Sequence, residues 1–206
     1  MRLTGPKNRI ARREGIDLGM KTIGSKSHAN LLKKINVIPG QHGLSRRPKM
    51  TDYGIQLREK QKMKRIYGLN ESQMKNCFEK ASKMTGNSAE NLVQLLERRL
   101  DNVIYKLAFA PTRSSARQLV SHGHIAVDGK KLSIASFVTS VGELISFNKE
   151  KSQKIPYIAT SLDKKDAILP KWLERKSFVG KIVALPQRED ASEEVNLQLV
   201  VEFYSR

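Results

Sequence analysis

The amino-acid sequence predicts an α+β protein, and three patterns carry that expectation. From Thr51 to Leu107 apolar residues recur at helical spacing, as on elements with one buried face. From Ile125 to Phe147 the pattern changes to short alternating runs around an Asp-Gly pair, the signature of small hairpin strands. Ahead of both, residues 1–50 mix Gly, Pro, Lys and Arg without sustained periodicity, which predicts an extended basic N-terminal segment.

In chain order, "GPKNRIARREG" has room for one short helical turn, and "IPGQHGLSRRPKM" has loop chemistry throughout. Ile10, Ile16, Leu31, Leu32 and Ile35 are the apolar anchors available to this segment. Thr51 or Asp52 caps a helix on which Met63, Ile66 and Tyr67 share a face. Asn70 and Gln73 form a capping box ahead of a stripe of Met74, Cys77, Phe78, Ala81 and Met84, and Cys77 on that stripe reads as a buried thiol. Asn87 and Glu90 repeat the capping pattern before a long stripe of Leu92, Leu96, Leu100, Val103 and Leu107, which Pro111 stops. Thr112 caps the next helix, with Ala116, Leu119 and Val120 inward and Gly123 as its left-handed end. Ile125 and Val127, the Asp128-Gly129 turn and "ELISF" are the strands of a compact module. Beyond a polar connector, "SFVGKIVALP" and "NLQLVVEFYSR" read as strands, the latter alternating Leu197, Leu199, Val201 and Phe203 against polar residues.

Charge narrows the class of partner. The 206 residues carry a formal net charge of +18, which points to a polyanion: RNA, DNA or an acidic membrane face. Residues 1–70 hold 17 Lys and Arg against 4 Asp and Glu, and residues 98–131 hold 7 against 2, so two basic regions carry the field. The helix after Thr51 places Arg58, Lys60, Lys62, Lys64 and Arg65 around Glu59 alone, a repulsion that a phosphate backbone would relieve. A single cysteine, Cys77, excludes an internal disulfide and a thiolate zinc site. The N-terminus lacks the apolar core of a signal peptide, and no run of about eighteen apolar residues occurs. A reducing cytoplasm or an organelle matrix is therefore the expected setting.

The stretch "APTRSSARQLVSHGHIAVDGKK" brings the candidate chemistry together. Arg113, Arg117 and Ser121 fall at i, i+4 and i+8, opposite the apolar stripe, and Arg donates two parallel hydrogen bonds to phosphate. Ser114 and the first amides of the helix add donors at its positive end. His122 and His124 follow the helix, and Lys130 and Lys131 leave the turn. With only His28 and His42 as further histidines and no clustered carboxylates, a metal site or catalytic dyad is not expected. No cofactor is implied. Arg117→Ala is expected to weaken binding without unfolding the chain.

The residues "RLDNVIYKLAFAPTRSSARQLVSHGHIAVDGKKL" resemble the RNA-binding module named after the fourth protein of the small ribosomal subunit. "GPKNRIARREG", "PGQHGLSRRPKMTDYGIQLREKQKMKRIYG" and the terminal "VEFYSR" resemble the bacterial-type ribosomal family itself, over nearly the whole chain. The resemblance implies a mainly helical domain over 51–96, completed by 170–206, with the αβ module inserted at 97–160. It implies a structural constituent of the small subunit that binds its rRNA and nucleates assembly of the subunit body. It also implies the fifth and twelfth small-subunit proteins as neighbours, a place beside the channel by which mRNA enters, and an influence on decoding accuracy. In some bacteria such a protein represses its own operon messenger. Carried onto this chain, it marks Lys7, Arg9, Arg12, Arg13, Arg46, Arg47 and Lys49 as N-terminal rRNA contacts. Arg58, Lys60, Lys62, Lys64 and Arg65 mark the basic helix, and Arg113, Arg117, His122 and Lys130 the module's face. Some relatives hold zinc on four N-terminal cysteines; Asn8 and Ala11 stand at two of those positions, so zinc is not expected.

Two rivals are weaker. Arg99-Leu100-Asp101 is superficially similar to the catalytic triplet of pseudouridine synthases, but it sits inside an apolar helix, and too few residues remain for a synthase domain. Asp101 is expected to pair with a nearby arginine or cap local structure. Generic DNA binding lacks a dimerisation seam or an evident recognition helix.

Overall fold

The computed structural model describes residues 5–44, 49–149, 155, 158, 169–191 and 195–206, and the architecture is α+β. It divides into two units, one built from residues up to Leu92 with the C-terminal helix, the other from Val93 to Ala191.

In the first unit, the segment expected to be extended holds two short helices, α1 (Lys7–Glu14) and α2 (Lys26–Leu32). Gly15 closes α1 in the left-handed region at φ 73°, and Ser25 caps α2 by accepting from the His28 amide. Ala11, Leu18 and Leu31 are its buried anchors, whereas Leu32 is exposed. Helix α3 (Asp52–Ile66) starts on the Thr51 side chain, and α4 (Glu71–Lys83) on the Asn70–Gln73 capping box. Met63, Ile66, Tyr67, Met74, Phe78 and Ala81 form their buried faces; Cys77 is only half-buried and Met84 is exposed.

The terminal segment read as a strand is a helix, α8 (Leu197–Tyr204), packed on α3. Asn196 caps it by accepting from the Gln198 and Leu199 amides. Leu197 and Val200 are buried three residues apart, while Leu199 is less so, which is helical rather than alternating burial.

The long stripe is likewise two helices, α5 (Ser88–Glu97) and α6 (Leu100–Lys106), interrupted at Arg99 in an extended conformation. The interruption has a backbone cause. Thr139 donates to the Arg98 carbonyl, and Leu100 and Asp101 donate to the carbonyls of Phe137 and Ala135, satisfying groups that a continuous helix would pair internally. Arg99 therefore precedes a helix rather than lying inside one.

Helices α6 and α7 (Arg113–Ser121) pack together. The five-stranded antiparallel sheet runs β2 (Lys130–Leu132), β1 (Ile125–Val127), β3 (Leu144–Phe147), β5 (Val179–Ile182), β4 (Leu173–Lys176). Residues 173–182, expected within the segment completing the helical domain, lie instead in this sheet: β5 pairs with β3, with Ile145 opposite Gly180, and β4 pairs with β5. Leu107, Phe109, Leu119, Ile125, Ile145 and Trp172 are at the centre of the core. Each fully buried aliphatic side chain of this kind contributes about 1.5–3 kcal/mol.

Gly180 faces inward, and a Cβ there would lie 2.3 Å from Cδ1 of the fully buried Leu107. Gly180→Ala is expected to cost about 1–3 kcal/mol through overpacking, read as a lower urea midpoint at unchanged slope. An unmoved midpoint would mean that Leu107 has room to repack.

Candidate nucleic-acid interface

The basic helix α3 does not present five free cations. Glu14, at the end of α1, has a side chain 0% exposed and accepts through Oε1 from Arg58 at 3.2 Å and also from Arg65. Lys62 donates to Glu59 at 2.6 Å, and Lys60 and Lys64 donate to Glu71 at 2.8 and 2.7 Å. The repulsion anticipated from sequence is thus relieved partly by Glu71, just beyond the helix, and by Glu14, distant in sequence. Lys60 is 5% exposed, with Nζ 4.4 Å from the centre of the Phe203 ring, so it is an interior cation rather than a surface contact. Glu59 also accepts from the Asn196 amide at the start of α8.

Glu71 sits among three donors. Burial alone would raise its pKa, but hydrogen bonds from Lys60, Lys64 and Tyr204 outweigh it and hold the group at about 2 instead of 4.5. Tyr204 is pushed upward, first by burial and then by its bond to Glu71. Because the folded value lies below the unfolded one, this stabilisation is complete above about pH 4.5 and is lost as pH falls towards 2. Glu71→Gln is expected to lose less stability than the parent chain between pH 6 and pH 3, measured as urea midpoints; parallel losses would remove Glu71 from the acid response.

The N-terminal cations also divide. Lys7 donates to the Met20 carbonyl at 3.2 Å, and Arg12 reaches the Val37 carbonyl at 2.9 Å, tying the segment together. Arg9, Arg13 and Lys49 are exposed, and Arg46 and Arg47 lie outside the described residues.

In the second unit, Thr112 and Ser115 form the capping box of α7. Asp101, 2% exposed, accepts from Arg99 Nε and Nη2 at 3.2 and 3.1 Å and from Arg117 Nε and Nη2 at 2.8 and 2.5 Å. Arg113 donates to Asn102 at 2.8 Å and stacks 4.4 Å from the centre of the Tyr105 ring. Asn102 in turn donates to the buried Glu97 carboxylate at 2.7 Å. Both arginines of the α7 face are thus framework groups with part of their surface open. Arg117→Ala, expected to weaken binding without unfolding the chain, would also remove the bonds to Asp101 and so carry a stability cost.

Ser114 is half-buried, and Ser121 donates to the Arg117 carbonyl of its own helix. His122 is exposed, His124 is half-buried, and their rings lie 6.1 Å apart. Asp128 and Gly129, at φ 47° and 77°, make the tight turn, leaving Lys130 and Lys131 exposed. Gly123 has φ 70°, and a Cβ on it would meet Cε of Lys131 at 2.3 Å. The left-handed backbone is what calls for glycine there, and the Lys131 side chain lies beside it.

Sequence reasoning passed over Glu14, Glu71 and the Phe203–Tyr204 platform. The one available signal was that Glu14 follows Arg12 and Arg13 with no apolar stripe of its own.

Residues 2–97 match the family described as Ribosomal protein S4/S9 N-terminal domain, and residues 98–145 match the S4 domain. The chain is 49% identical to the small ribosomal subunit protein uS4 of Pelobacter propionicus, over all of this chain and 99% of that protein. The chain belongs to the ribosomal protein S4 family. Similar proteins of the same name occur in Chlorobaculum tepidum, 45% identical, and Clostridioides difficile, 44% identical, each with all of this chain and 99% of the relative aligned. The S4 family consists of structural ribosomal proteins and is not known to be enzymatic, in keeping with an Arg99–Asp101 pair that serves an S4-domain framework. No helix among the described residues of this S4-family chain is long and apolar enough to cross a membrane.

Proposed function

We propose that the protein is a structural constituent of the small ribosomal subunit that binds small-subunit rRNA directly and nucleates assembly of the subunit body. The observation that carries this reading is similarity along the whole chain to proteins named uS4. Exposed cations in both units support it: Arg9, Arg13 and Lys49 in the first, Lys130 and Lys131 with His122 in the second. The partly exposed side chains of Arg58, Arg65, Arg113 and Arg117 add planar forks suited to phosphate. Contacts with the fifth and twelfth small-subunit proteins, a position beside incoming mRNA, an influence on accuracy and binding of its own messenger belong to the same proposal.

Chemical footprinting of the chain on isolated small-subunit rRNA tests the reading. Protection confined to one junction of rRNA helices, with the protein co-sedimenting with small-subunit particles, is the expected result. Uniform weak protection, or absence from the particles, would overturn it.

A further inference from the structure

Glu14 is an odd residue to bury in so basic a chain. Its side chain is fully enclosed, its Oε1 holds Arg58 and Arg65, and its Oε2 has no hydrogen-bond partner among the described residues. A carboxylate kept only to glue two helices would be expected to use both oxygens. The two arginine side chains are 24% and 19% exposed, and each guanidinium carries five N–H donors, more than the bonds to Glu14 occupy. We propose that Glu14 is a positioning residue for RNA contact, gathering Arg58 and Arg65 beside Arg13 into a pre-formed seat for a phosphate group.

This inference rests on the rRNA-binding reading above. One buried negative charge faces three positive ones, so the cluster keeps a surplus of cation at the surface while its forks stay together. Arg65 shows the load: burial lowers its pKa, Arg58 and Arg13 lower it further, and Glu14 opposes them. An incoming phosphate would meet donors already oriented, without the ordering cost that free arginine side chains carry.

Glu14→Gln separates this role from bulk charge by the sign of its effect. The substitution makes the chain more positive by one charge, so the general field alone would tighten binding to isolated small-subunit rRNA. Positioning predicts the reverse: affinity about ten- to a hundredfold weaker, with a salt slope shallower by about one to two. Affinity equal to or above the parent's, with the slope unchanged, would overturn the inference. Fold is followed by circular dichroism and active fraction by stoichiometric titration, so that partial unfolding is not read as weak binding. If the Gln variant does not fold, Arg65→Lys serves instead, since it keeps net charge but has no fork. It is expected to lose roughly fivefold or more in affinity at unchanged slope, and full affinity would overturn the proposal. Failure of the parent chain to bind rRNA would count against the functional reading, not against this clamp.

Discussion

Raising salt from about 50 to 200 mM is expected to weaken binding of the chain to isolated small-subunit rRNA by about three to five decades. The net charge of +18 is concentrated in two stretches of sequence, and exposed cations occur in both units. If roughly six to ten of them each neutralise a phosphate, every contact releases a condensed counterion, and the slope of log affinity against log salt falls between about −5 and −9. Lys60 cannot contribute, because it is enclosed between Glu71 and the Phe203 ring. Filter binding or fluorescence anisotropy across that range supplies the slope. A flat profile would remove phosphate tracking as the source of affinity and leave base stacking or shape in its place.

Asp101→Ala is expected to destabilise the second unit by about 3–5 kcal/mol, the usual cost of removing one member of a buried ion group. The carboxylate is the shared acceptor of Arg99 and Arg117, whose side chains are 7% and 26% exposed. Arg117 can turn to water once its partner is gone, whereas Arg99 is left as an enclosed charge. Arg117→Ala, which leaves the Arg99–Asp101 bond intact, is expected to cost less, about 1–3 kcal/mol. Thermal unfolding reads both, with a fall of roughly 6–20 °C for Asp101→Ala. Additive losses in the double variant would deny the coupling that a common carboxylate requires. The comparison also decides how the α7 arginines act: a lowered melting point with full RNA affinity would make Arg117 a framework residue alone.

The parts of this fold that depend on near neighbours were legible in the sequence. Thr51, Asn70 and Thr112 cap helices through amides three residues away, and Asp128-Gly129 turns the chain by its own backbone preference. The parts that failed depend on distant partners. The interruption at Arg99 leaves the apolar spacing intact and is made by the backbone of 135–139. Strand β4 has no alternating apolar pattern and exists because β5 folds back on it. The segment "LQLVVEFY" carries the β-branched alternation of a strand, but the Asn196 cap and packing against α3 select a helix. The candidate site divides in the same way. Which residues are cationic was readable, but which of them are neutralised was not, since Glu14 lies 51 positions before Arg65.

Helix α8 has a consequence for vectorial synthesis. Gln56 on α3 bonds Glu202 across 146 positions, and Glu59 bonds the Asn196 amide across 137. While a nascent chain is still being made, α3 must wait with its apolar side uncovered until nearly two hundred residues have emerged. The sheet-bearing unit spans Val93 to Ala191, so its stretch of chain is synthesised before α8. Closure of this part of the fold therefore joins an element made late to one made early.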